Sequence, residues 1–307
     1  MTILEEHVAE APDRPAPSRS RAALWVVPPL LLVLMIALYP LLRVLGESAD
    51  TGTWAQVLGS AVFREALWRT VTIAVTSTIG CLILGSFLAI VLAFVPFPGS
   101  QLVGRLIDTV LSLPSFLITL AFTFLYGTAG AVNAAILGVT GGHEPVLNFL
   151  YTPAGVVAAE ITFFTPFVVR PLLAAFALVP RAQLDIAASL GASPSRVLRS
   201  VIMPEAWPAL VAGGSLVLLL TLNEFGIVLF TGAKGVITLP VLIYTRGIVT
   251  FDLPGAAVIA TVQVALSLGL YAAYRIMFAR MTTGKTSHVV KSQAASWRGG
   301  GNATCSS

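Results

Sequence analysis

Six long apolar runs govern what this chain can fold into. They cover roughly residues 23–42, 71–95, 107–126, 154–178, 206–230 and 255–278. Each approaches the ~20 residues that cross a bilayer as a helix. The runs are continuous and do not alternate between apolar and polar positions, so they predict helices and not barrel strands. The chain is 56% hydrophobic and only 10% charged, as in a polytopic membrane protein and unlike a soluble domain. The expected fold class is therefore an all-α membrane protein with about six transmembrane helices. A net charge of +4, from 18 basic and 14 acidic residues, is too modest to argue for nucleic acid as a partner. Cys81 lies within an apolar run and Cys305 in a polar tail, which argues against a disulfide framework; neither has neighbours suited to a metal site.

The first run follows Arg19 and Arg21, as a signal peptide would. Its apolar stretch exceeds the roughly 7–15 residues of such a segment, and no A-x-A-like cleavage site follows, so an uncleaved span is favoured. Basic residues set the orientation. With the N-terminus in the cytoplasm, the inside segments hold Arg14, Arg19, Arg21, Arg105, Arg181, Arg196, Arg199, Arg275, Arg280, Lys285, Lys291 and Arg298. The outside segments hold Arg43, Arg64, Arg69, Lys234 and Arg246, while Arg170 falls within the fourth run. This bias favours both termini in the cytoplasm. Residues 1–21 read as a disordered cytoplasmic segment, 22–45 as the first transmembrane helix, 66–279 as the main transmembrane domain and 280–307 as a disordered cytoplasmic tail. The short apolar piece 131–139 is expected to lie along the membrane or dip into it, and the segment 231–253 to form a structured outer loop or a second dipping piece. No internal repeat is evident.

Between the fourth and fifth runs stands a polar, helix-prone segment, DIAASLGASPSRVLRSVIMP, from Asp185 to Pro204. Its charges, with Arg181 just before it, keep it out of lipid. Pro180 suits the start of a helix, Gly191 permits a sharp break, and Ser193-Pro194 can start a second helix with Ser193 as its cap. In that helix Val197, Val201 and Leu198 can share a face, and Pro204 closes the segment. Two readings stand: a bent helix pair that docks into a groove on a soluble partner, or an ordinary amphipathic loop on the membrane surface.

The spacing of this segment resembles the cytoplasmic signature loop of permease subunits in ATP-binding-cassette (ABC) importers of the binding-protein-dependent, methionine-importer-like type. The family pattern is Glu-Ala-Ala, three residues, Gly, nine residues, then Ile-x-Leu-Pro. Asp185 stands at Glu, Ile186 and Ala187 at the two Ala, Gly191 at Gly, and Val201, Met203 and Pro204 at Ile, Leu and Pro. Ile186 is the largest departure and adds bulk at the docking face. The wider resemblance covers about residues 69–278. It implies a loop that sits in a cleft of a cytoplasmic ABC ATPase dimer and couples ATP binding to switching of the translocation path. It further implies a second permease subunit, identical or related, an extracytoplasmic solute-binding protein, and a multi-pass location in the bacterial inner membrane. ATP hydrolysis is expected on the separate ATPase subunits, so the chain itself is expected to be neither an enzyme nor a cofactor protein. Gly284-Lys285-Thr286 imitates the end of a phosphate-binding loop, but the first glycine of that motif would fall at Ala279 and no strand precedes it.

Charged residues at membrane depth are costly and mark functional candidates. Asn223-Glu224-Phe225-Gly226 resembles a motif of permeases for oxyanions and related solutes. Asn223, Glu224 and Gly226 either line or gate the path, or Glu224 is a structural cap or interhelical hydrogen-bond partner. Arg170 is a further path candidate. Glu160 and Arg170 are about 15 Å apart along a straight helix and cannot pair directly, so each is expected to reach its nearer membrane surface, as is Asp108. The stretch from Asn223 to Pro240 is similar to permeases for 2-aminoethylphosphonate, a subfamily near those for sulfate, thiamine, iron and polyamines. A secondary transporter would need a coupling-ion site where the chain offers scattered acids. A membrane enzyme would need a matched cluster of functional groups, and the three histidines, His7, His143 and His288, all lie outside the spans.

Overall fold

The computed structural model describes residues 19–142 and 144–299. Residues 1–18, which hold most of the expected disordered N-terminus and His7, lie outside the described residues, as do His143 and Cys305. Among the described residues the ordered elements are all helical. They are α1 (Arg19–Glu47), α2 (Thr51–Gly59), α3 (Ala61–Phe94), α4 (Ser100–Leu111), α5 (Ser115–Tyr126), α6 (Ala131–Thr140) and α7 (Pro153–Phe164). Then follow α8 (Pro166–Ala177), α9 (Arg181–Ser189), α10 (Pro194–Val197), α11 (Met203–Leu222), α12 (Gly226–Thr231), α13 (Leu239–Tyr244) and α14 (Leu253–Gly299).

Among the described residues six stretches are long and apolar enough to span a membrane: Trp25–Glu47, Ala61–Phe94, Ser115–Thr140, Pro153–Ala177, Pro194–Leu222 and Leu253–Ala279. The number of spans matches the sequence reading, but the third and fifth are built differently. The run 107–126 is two helices, because Pro114 drives Leu113 out of helical geometry. The preceding helix, α4, is an amphipathic segment carrying Arg105 and Asp108. The run 206–230 is broken at Asn223–Phe225, with α12 as a separate short helix. The helix α14 runs from Leu253 to Gly299, and no proline interrupts residues 280–299.

The spans differ sharply in burial. Of the fourth span's most apolar window 56% is buried, against 0% for the first, so the fourth is the centre of the bundle and α1 lies at its edge. The main core joins α3, α7, α8 and α11 through Cys81, Val156, Ala159, Phe164, Val168 and Val217. Water does not drive helices together within lipid, so close packing must do so, and small residues permit it. A Cβ at Gly85 of α3 would stand 2.8 Å from Val168 Cβ, and one at Gly213 of α11 3.2 Å from Phe167 O. Glycine at these two positions lets α3 and α11 approach α8 from two sides. A second cluster ties α2 and α13 to α3 and α14 through Val57, Phe63, Leu239 and Ile259.

One expectation about charge is corrected by this packing. Glu160 does not reach a membrane surface: it is 0% exposed, enclosed between α7 and α3. It lies seven residues beyond Pro153, about 10 Å along the helix, on a face that α3 covers. Arg170 and Asp108, both more than a third exposed, form an ion pair with each other, and Arg170 Nη2 also donates to Gly104 O at 3.0 Å. These contacts clamp α4 against α8.

Candidate functional site: a bent helix pair and a broken span

The segment that follows α8 makes a tight hairpin. Pro180 takes an extended conformation (φ −64°, ψ 129°) and α9 begins at the next residue. The end of α9 is a Schellman turn: Ala192 N donates to Ala187 O at 3.0 Å and Gly191 N to Ala188 O at 2.9 Å. Gly191 has φ +74°, a left-handed conformation that a side chain disfavours. The position of Gly191 in the motif is thus a backbone requirement. Ser193 holds the N-terminal position of α10, as expected, but its hydroxyl meets Ser195 Oγ at 3.2 Å and does not cap an amide.

The second helix is not closed by Pro204. Residues 198–202 form a π-turn that joins α10 to α11, and Pro204 lies in the first turn of α11. A proline ring collides with the carbonyl four residues earlier and offers no amide proton to it; the wider π-turn accommodates both. The result is one helix from Pro194 to Leu222, 29 residues, continuous from the polar loop through the bundle. At 1.5 Å per residue this lever is about 43 Å long.

Between α9 and the π-turn lies an open groove of about 370 Å³. Motif residues Ile186, Ala187, Val201 and Pro204 line it, together with Leu190 and the polar Gln183, Ser200 and Glu205. Asp185 and Met203 do not; Asp185 is exposed on the outer side of α9 and Met203 begins α11. Ile186 is 61% exposed and Leu190 82%, an uncovered apolar surface on an otherwise polar hairpin. The expected shared face of Val197, Leu198 and Val201 is split. Val197 and Leu198 pack into the main core with Leu184, and only Val201 turns to the groove. Leu190 was not singled out in the sequence, although a large apolar residue immediately before a helix-ending glycine is a usable signal.

At the far end of the lever, Asn223, Glu224 and Gly226 come together at the break before α12. Glu224 Oε1 accepts from Ile227 N at 2.8 Å, satisfying an otherwise free amide in the first turn of α12, and from Ser115 Oγ at 3.0 Å. Asn223 Nδ2 donates to Leu219 O at 2.8 Å, and Gln263 Nε2 donates to Leu222 O at 2.6 Å and Asn223 Oδ1 at 3.3 Å. A side chain at Gly226 would crowd the Ser115–Glu224 bond, with its Cβ 3.0 Å from Ser115 Oγ. Of the two readings of Glu224, this geometry supplies the cap and interhelical bond. Arg170, the remaining path candidate, is occupied by Asp108 and Gly104 as described above.

Residues 82–283 match the sequence profile of the family described as "Binding-protein-dependent transport system inner membrane component". The chain belongs to this family. It is accordingly an ABC importer permease, a multi-pass inner-membrane component, and the matched region contains both the hairpin and the break. A relative from Salmonella paratyphi A, named "Putative 2-aminoethylphosphonate transport system permease protein PhnU", is 49% identical over 85% of this chain and 92% of its own length. A sulfate transport system permease, CysT of Salmonella typhimurium, is 30% identical over 78% of this chain and 86% of its own. Among solved structures, a bacterial ABC transporter involved in alginate import shares the fold with TM-score 0.76 and 16% identity, covering 86% of this chain and 97% of that one. The MetNI methionine ABC transporter in an inward-facing form matches with TM-score 0.52 and 19% identity, covering 71% of this chain and 94% of that one.

Proposed function

We propose that this permease forms half of the translocation path of an ATP-driven importer for 2-aminoethylphosphonate. The observation that carries the solute is the 49% identity, over 85% of the chain, to the permease named for that compound, set against 30% for the sulfate permease. Hydrolysis of ATP belongs to separate cytoplasmic ATPase subunits, and this chain performs no chemistry on the solute. The hairpin of α9 and α10 sits in a cleft of the ATPase, with the side chains around its groove as the contact surface. This reading is supported by the exposed Ile186 and Leu190 and by the motif residues that share the groove. Both termini then lie in the cytoplasm with the hairpin, a second permease subunit completes the path, and an extracytoplasmic binding protein delivers the solute to the opposite end.

Motion of the hairpin reaches the membrane through the uninterrupted helix from Pro194 to Leu222. That helix ends where Asn223 and Glu224 hold α12 and α5, so displacement at the groove is transmitted to the far-side break. The test is ATP-dependent uptake by the complete complex in proteoliposomes, with labelled 2-aminoethylphosphonate and sulfate supplied on their cognate binding proteins. Uptake of the phosphonate and exclusion of sulfate is the expected result. Uptake of sulfate alone would refute the solute assignment.

A further inference from the structure

At the end of the bundle opposite the hairpin, the ends of α5 and α12 and the start of α7 surround a cavity of about 750 Å³. Its polar lining comes from Thr128, Asn148, Tyr151, Thr152 and Lys234; Pro153, the first residue of α7, completes that wall. Among the described residues no carboxylate lines it. The lysine is held there by its backbone. Lys234 N donates to Tyr151 O at 3.2 Å, and the flanking Ala233 and Val236 are buried in the core. Gly232 (φ +61°) and Gly235 (φ +72°) bracket it with left-handed turns. Among the described residues Lys234 forms no ion pair, and it is the cation that lines this cavity. The start of α7 meets the same wall at Pro153, which has no amide proton, and Gly155 N and Val156 N donate to Thr152 O, so the helix contributes only the weak field of its positive end.

We propose that this cavity is a vestibule for a tetrahedral oxyanion, and that it receives the phosphonate group of the solute as it leaves the binding protein. Lys234 supplies the charge, and Asn148 and Thr128 supply neutral donors. A volume of this order suits a small solute, and a cation without a competing carboxylate favours a group carrying negative charge on several oxygens. The proposal rests on the phosphonate reading for the identity of the solute, but the cavity's preference for an oxyanion is a separate property.

The experiment uses the complete permease–ATPase complex in nanodiscs, without binding protein, and 2-aminoethylphosphonate followed by ³¹P line broadening. Line broadening by the unsubstituted complex is expected. Lys234→Gln should weaken binding about tenfold, as loss of a charge-assisted contact does. Asn148→Ala should weaken it less, and Arg64→Gln, an exposed cation outside the cavity, should leave it unchanged. Binding unaffected by Lys234→Gln overturns the assignment while leaving the importer reading intact. An effect of Lys234→Gln confined to the binding-protein concentration at half-maximal uptake also overturns it, since that marks a docking contact. If the complex imports sulfate and not the phosphonate, the solute reading falls. The same variants measured with labelled sulfate then decide whether the cavity holds an oxyanion.

Discussion

At the Gly191 end of the long helix, apolar side chains are left uncovered around a groove, and the only strict local demand is one left-handed glycine. At the Asn223 end, polar side chains bond to backbone and to one another across α5, α11, α12 and α14. Both places interrupt a helix, but by different means and for different surroundings. In water the break can be closed by backbone turns alone, with apolar surface kept free for a partner. Within the bundle the freed backbone groups need partners from side chains, because lipid offers none. A carboxylate at membrane depth is thus explained by its bonds before any role toward solute is invoked.

The largest effect is expected at the first of these places. Gly191→Pro removes both the left-handed conformation and the amide that bonds Ala188 O, a cost on the order of 3 kcal/mol within a folded turn. ATP-dependent uptake should be lost while the chain still inserts, as judged by its level in isolated membranes. Ala187→Glu should do nearly the same by placing a second carboxylate in the groove among Ile186, Leu190 and Val201, with ATPase activity no longer stimulated by loaded binding protein. Undiminished uptake by either variant would remove the docking assignment.

A smaller effect, and the one that separates cap from path, is expected at Glu224. Glu224→Gln keeps an oxygen that can accept from Ile227 N and Ser115 Oγ, so uptake should remain within about twofold. Glu224→Ala leaves the amide unsatisfied at a cost of about 1–3 kcal/mol and should reduce both uptake and the thermal stability of the purified complex. Equal losses in the two variants would show that the charge itself matters and would return Glu224 to the path. Weaker still should be Asp108→Asn. It removes the charge facing Arg170, but both side chains are more than a third exposed, so loss of about 1 kcal/mol or less is expected in a melting experiment.

The smallest effect concerns Asp50, which precedes α2 and accepts from Thr53 Oγ1, Thr53 N and Gly52 N. These bonds, that from the Thr53 side chain first, hold its carboxyl below the ordinary carboxylate range. A depressed value means that its contribution to stability is present above the ordinary carboxylate pKa and is lost as pH falls through the lowered one. Trp54, whose indole donates to Ser48 O, should report loosening of α2 by fluorescence only under acid conditions. Asp50→Ala should abolish that transition and leave uptake at neutral pH unchanged.

Much of this was legible in residue order. The number of spans follows from continuous apolar runs, since the bilayer demands length and internally satisfied backbone. The hairpin was legible because Gly191 and the prolines act through their own backbone geometry, whatever surrounds them. The inward turn of Val197 and Leu198 was not, because amphipathic spacing identifies an apolar face without saying whether the bundle or a partner covers it. Helix continuity through Pro204 was hidden for a related reason: proline signals an interruption, and only the π-turn shows it absorbed.

The sequence alone therefore determined the membrane class, the hairpin and its motif, since local backbone chemistry and lipid impose these on any chain with this pattern. Tertiary structure decided the partners of the charged residues. Asp108 and Arg170 lie far apart in the chain and meet because α4 packs on α8, while Glu160 is enclosed because α3 closes over α7. Those contacts depend on how closely small residues let helices approach, and no pattern within a single helix records that distance.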